Sequence, residues 1–288
     1  MRRMNARDES TGVDGLSTTS ARQVSDDDAA PLETLIATTA RMVSEIRASF
    51  YDGRCRLIPR ESTYSRIYSL AGLSHECVYL EELCKLAVSD TPSDVLALLA
   101  RHHLETWITG VYLVFGREEA FGKFRGEAER SRLAMRDGIR EMQKDGRLTD
   151  VDSSGLDNAS DWEPERFVYQ KVFEEVDRIG AEIGLLYNAK AAYAIPYRAL
   201  SNDLGAHPTF KVLDRYVDMS RFFARVETGS QTQPFRRRPI QWCLVLTAFH
   251  AIVALGSLGF PLETYSAVLQ ELKPPPAFRS RKMELESV

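Results

Sequence analysis

A chain of 288 residues, 44% hydrophobic and 27% charged, is long enough to bury its own core without metals or disulfides. Its formal charge of -4, from 37 basic and 41 acidic residues, excludes a global attraction for nucleic acid or anionic membrane and leaves only local basic patches. Cys55, Cys77, Cys84 and Cys243 lie at no metal-ligand spacing and no apolar run follows Met1, so the expectation is a cytoplasmic protein with reduced thiols.

Residues 1–30 are rich in Ser, Thr, Asp, Arg and Gly, with the acidic run Asp26-Asp27-Asp28. They carry too little apolar surface to offset the entropy of ordering, which predicts a disordered tail. Pro31 suits a first helical turn, and Leu32, Leu35, Ile36, Val43, Ile46 and Phe50 follow at helical spacing. Ser62 or Thr63 is placed to cap a second helix carrying Ile67, Leu70, Cys77, Leu80 and Cys84. Thr91-Pro92, read as a cap and an N1 proline, opens a third helix that Gly116 ends near Phe115. A fourth, from about Arg117 to Lys144, has the apolar stripe Phe121, Phe124, Ala128, Met135, Ile139 and Met142. Its basic residues are interrupted by Glu118, Glu119, Glu127 and Glu129, which reads as a solvated face rather than a nucleic-acid surface.

A polar loop follows from Asp145 to Asp161, and a fifth helix is expected from Pro164 with Val168, Val172, Val176, Ile179, Ile183 and Leu186. Pro196 should break or restart it. A short helix over about 197–205 and another from Thr209 to about Phe223 come next, and Glu227 to Pro239 reads as a loop ending in Arg236-Arg237-Arg238. From Pro239 to Leu262 no residue is charged. Such a segment after a basic cluster has the form of a membrane span. Gln241, Thr247, His250 and Ser257 within it favour a core helix packed on all sides. A loose end follows Pro274-Pro275-Pro276. No alternating strand pattern of useful length occurs. The expected fold is all-α: a bundle of about seven to nine helices over residues 31–273, between tails at 1–30 and 274–288.

Conventional enzyme signatures are missing. There is no Walker loop, GxSxG elbow, dinucleotide fingerprint or Glu-x-x-His pair, and His75-Glu76 has no second His at the zincin spacing. No metal or cofactor is expected, and whether the chain is an enzyme stays open. Two polar clusters stand out. Arg101 and Glu105 share one face of an apolar helix, four residues apart. In Tyr197-Arg198-Ala199-Leu200-Ser201-Asn202, the residues Arg198, Ser201 and Asn202 would share a helical face, with His207 following the Gly205 turn. A cation, hydroxyl, amide and imidazole near one point could bind phosphate and move protons. The alternative is a hydrogen-bonded network tying helices together.

Arg101-x-x-x-Glu105, then Tyr197-Arg198-x-Leu200-Ser201 and His207-Pro208, resemble a bacterial family of uncharacterised helical proteins that is distantly similar to the HEPN superfamily. That resemblance implies a HEPN-like helical core, a homodimer, and a binding or interaction module in defence or stress response. Arg101, Glu105, Tyr197, Ser201 and Asn202 would bind a ligand of unknown identity. It also implies a rival, a metal-independent ribonuclease acting on RNA through Arg198 and His207. The HEPN motif has four to six residues between its Arg and His, whereas eight separate Arg198 from His207. Attachment to a membrane through 239–262 is the third alternative.

Overall fold

The computed structural model describes residues 29–51, 64–89, 91–147, 151–157, 162–182, 189–203, 217–218, 223–224 and 236–272. Among them are seven helices: α1 Leu32–Tyr51, α2 Tyr64–Val88, α3 Ser93–Lys144, α4 Tyr169–Glu182, α5 Ala189–Ala192, α6 Arg237–Gly256 and α7 Glu263–Glu271. α5 continues into two π-helical turns, Tyr193–Tyr197 and Ala199–Asp203. The chain is a helical bundle.

α6 lies at its centre, packed by α1, α2, α3 and α7. Sixteen of its residues are buried, on every side of the helix, which is why its sequence lacks an amphipathic stripe. It alone, among the described residues, is long and apolar enough to cross a membrane, yet 83% of that stretch is buried inside the protein. The uncharged run therefore encodes a core helix. Gln241 in it donates to Leu272 O at 2.8 Å and accepts the Ala30 N–H at 3.1 Å, fixing both ends of the domain. Ala29 is buried as well. The rest of the expected tail at 1–30, and the tail after 272, lie outside the described residues.

Several expected boundaries move, each for a local reason. The expected boundary at Gly116 is present inside α3: Arg117 leaves helical geometry (φ 50, ψ -133), so the third and fourth expected helices meet at a kink there. Pro92 is the N-cap itself, while the Thr91 hydroxyl pairs with Ser89 Oγ at 2.6 Å and leaves the helix end uncapped by a side chain. The fifth expected helix starts at Tyr169 rather than Pro164 because the preceding strap is tied down elsewhere. Glu165 N–H donates to Gly126 O at 3.0 Å and Phe167 N–H to Glu127 Oε2 at 2.7 Å. Around Pro196 the α-helix gives way, after Ala192, to a π-turn whose wider hydrogen-bonding pattern absorbs the missing donor. Where a helix was expected up to Phe223, Val217–Asp218 and Phe223–Ala224 form a two-residue antiparallel pair. The remainder of 209–223 lies outside the described residues.

Arg236 explains part of the basic triplet. Its guanidinium donates to Ala87 O at 3.0 Å, to Thr91 O at 2.9 Å and to Ser89 O, gathering carbonyls at the end of α2. Arg237 reaches Ala29 O at 3.3 Å.

Candidate functional site

Two polar assemblies meet at the crossing of α2, α3 and α6. The first is sealed. Ser69, Glu76, His103, Thr247 and His250 are each 0–1% exposed. His250 Nδ1 lies 2.6 Å from Glu76 Oε1, and its Nε2 lies 2.9 Å from Ser69 Oγ. Thr247 donates to Glu76 Oε2 at 3.0 Å, and His103 Nε2 lies 2.7 Å from Thr247 Oγ1. A hydroxyl has one proton, so Thr247, donating to Glu76, accepts from His103 Nε2–H. This fixes the His103 tautomer and leaves Nδ1 without a proton, consistent with its having no hydrogen-bond partner among the described residues. Burial holds His103 neutral, pulling its pKa down to about 4 against the opposing pull of Glu76. A carboxylate only accepts, so His250 donates Nδ1–H to Glu76 Oε1, and its Nε2 faces the Ser69 hydroxyl.

Glycine makes the seal fit. A Cβ on Gly110 would stand 2.2 Å from His250 Cε1 and 2.8 Å from its Nε2, so α3 approaches the imidazole as only glycine permits. Gly72 on α2 lies opposite, with the same ring carbon 3.8 Å from its would-be Cβ.

The second assembly is open. A groove of about 390 Å³ runs between α2 and α3, with Gly72 and Gly110 in its floor and Tyr68, His75, Phe124 and Tyr169 in its walls. Glu105 lines it, with its side chain 14% exposed. Glu105 Oε1 accepts from Arg101 Nε at 3.1 Å and from the Tyr197 hydroxyl at 3.1 Å, while Arg101 Nη2 donates to that hydroxyl at 3.3 Å. Glu105 Oε2 lies 3.6 Å from His102 Nδ1, beyond a good hydrogen bond, and accepts no hydrogen bond among the described residues. The Arg101 guanidinium also covers the Tyr197 ring at 5.4 Å. Burial, and next the Glu105 charge, push the Tyr169 hydroxyl up to about 12, so it remains a donor at neutral pH.

The structure thus brings Arg101, Glu105 and Tyr197 together across 96 residues of sequence. Ser201 is buried close by on the π-turn that packs against α3, its hydroxyl unpartnered among the described residues. Arg198 is not part of this group. It is exposed, with its guanidinium 5.5 Å over the Tyr193 ring. Of the face expected for Arg198, Ser201 and Asn202, Arg198 is exposed and Ser201 is buried, on a backbone that is π-helical from Ala199 to Asp203. The Asn202 side chain and His207 lie outside the described residues.

Sequence reasoning missed the sealed network. Its members are split between 69–76, 103 and 247–250, and no spacing in the sequence links these segments. The only available signal was Thr247 and His250 in an otherwise apolar segment. Cys77, Cys84 and Cys243 are free and buried, with Cys77 pushed up to about 12 by desolvation. Among the described residues, no group of His, Cys, Asp and Glu could hold a metal ion. Compared with known protein families, curated proteins and solved structures, the chain matches none of them.

Proposed function

We propose that the chain is a binding module for single-stranded RNA, with the α2–α3 groove as its central base pocket. The observation that carries this reading is a run of aromatic rings leading out of the groove among unpaired arginines. Tyr64 stacks on Phe121 with centroids 5.5 Å apart, and Tyr68 touches Phe121 at 5.2 Å and Phe124 at 6.2 Å. Trp162 packs edge-on against Phe121 at 5.5 Å. Tyr64 is 64% and Tyr68 40% exposed, which is costly for such rings unless something covers them. Arg66, Arg117, Arg125 and Arg166 lie within one turn of these rings in sequence and have no ion pair or hydrogen bond among the described residues.

The glutamates that interrupt the basic residues are largely spent. Glu119 holds Lys123 at 2.9 Å, Glu127 holds Arg130 and Glu129 holds Arg132, both at 2.5 Å. Successive bases can stack on exposed rings while arginines follow the phosphates. Glu105 Oε2 is then the acceptor for the amino group of a base in the groove.

The test is fluorescence anisotropy of a labelled 12-nucleotide RNA, titrated with protein in 50 and 200 mM NaCl. Binding should weaken with salt, and Tyr68→Ala should weaken it by about 1–3 kcal/mol, the range for one stacked base. No anisotropy change at 50 µM protein in low salt would refute the reading. Cleavage of the same RNA in the presence of a chelator, lost in Arg198→Ala and His207→Ala, would convert it to the metal-independent ribonuclease.

A further inference from the structure

The sealed network has the order of groups that activates a nucleophile: hydroxyl, imidazole, carboxylate. The geometry points to Ser69 as the nucleophile of an acyl-transfer centre for small carboxylic esters, with His250 as its general base and Glu76 as the positioning residue. Ser69 Oγ is 2.9 Å from His250 Nε2, and His250 Nδ1 is 2.6 Å from Glu76 Oε1. Both distances are within reach for proton transfer, and the base is oriented by a third group. A second layer fixes the carboxylate in turn, through Thr247 and then His103.

Access is the other requirement. Ser69 lines a narrow crevice with about 10 Å³ of open space, together with Arg66, Leu70 and Val114, Ala254 from the end of α6 and Ser257 just beyond it. At rest it admits about one water molecule. Its walls are the first two turns of α2, which starts at Tyr64, and the last turn of α6, which ends at Gly256. Access requires local fraying of these helix ends, which costs less than unfolding the whole bundle. Arg66 is exposed at the crevice, a cation available to the developing oxyanion.

In the reaction the Ser69 proton passes to His250 Nε2 as Oγ bonds to the ester carbonyl carbon. The bond to the alcohol oxygen then breaks, and the alcohol leaves with the proton from His250. A water molecule repeats the sequence on the acyl-enzyme, giving up its proton to His250. The carboxylic acid is released and the Ser69 hydroxyl restored.

The experiment is labelling of the native full chain with a fluorophosphonate, followed by mass analysis of the peptide containing Ser69. One phosphonyl group on Ser69 is expected. It should be absent in Ser69→Ala, and its formation should slow by about 10²–10⁴-fold in His250→Gln and at least about tenfold in Glu76→Gln. Hydrolysis of 4-nitrophenyl acetate should follow the same order. Absence of any adduct on Ser69 in folded wild-type protein overturns the proposal, whether or not a variant folds. So does labelling of folded Glu76→Gln at the wild-type rate. RNA binding is read separately, so the two proposals fail independently.

Discussion

Replacing Gly110 with alanine tests the packing around His250 most directly. The new methyl group would stand 2.2 Å from His250 Cε1, and the ring cannot swing away freely because both nitrogens are bonded, to Ser69 and to Glu76. To reach van der Waals contact, the ring or helix α3 must shift by roughly 1 Å, which forfeits good geometry in at least one bond. Overpacking costs about 1–3 kcal/mol and an unpaired buried polar group about as much again. Alanine returns about 1 kcal/mol of helix propensity. The net expectation is a loss of about 3 kcal/mol. Two glycines on the same pair of helices serve as controls. A Cβ on Gly72 meets nothing closer than 3.8 Å, and one on Gly138 meets nothing within 4 Å. Both alanine variants should be unchanged or more stable by up to about 1 kcal/mol. Urea unfolding followed by helical circular dichroism, with equal m-values, measures all three. If Gly110→Ala proves as stable as Gly72→Ala, the contact between α3 and His250 is misdescribed.

Other outcomes follow from the same network. Neutral His103, with a folded pKa of about 4 against about 6.5 when unfolded, binds fewer protons in the native state. Its contribution is therefore fully present above pH 6.5 and lost as pH falls toward 4, by about 2 kcal/mol at pH 5. His103→Gln should show a correspondingly shallower fall in urea stability between pH 7 and pH 5, and equal slopes would contradict a neutral buried His103. Thr247→Val, similar in shape, strands Glu76 Oε2 and His103 Nε2 and should cost about 2–4 kcal/mol. Calorimetric unfolding close to wild type would mean that the hydroxyl is dispensable. Arg236→Ala frees carbonyls at the end of α2 and should cost about 1–3 kcal/mol, with hydrogen exchange accelerated at residues 86–92 rather than across the whole bundle.

The helical class and most helix positions were legible because apolar spacing at three and four residues is a local property. α1, α2 and α6 lie close to where the pattern puts them. The Arg101–Glu105 pair was equally legible, since four residues on a helix always share a face. The strap before α4 was not, because it depends on a hydrogen bond to a distant element, and at the start of α3 the Thr91 hydroxyl pairs with its neighbour Ser89 in place of capping the helix. The π-turn at Pro196 was unreadable for a related reason: proline forbids one bond but does not say which alternative the neighbours favour.

The uncharged run at 239–262 marks the division most clearly. Its composition by itself determined a helix that had to leave water, since twenty uncharged, mostly apolar residues cannot stay hydrated at acceptable cost. Whether protein or lipid would surround it was decided only when α1, α2, α3 and α7 closed over it. That closure also set Thr247 and His250 against Glu76, His103 and Ser69, residues whose sequence distance carries no information about their contact. A polar group inside an apolar helix declares that a partner must exist. Only packing supplies the partner.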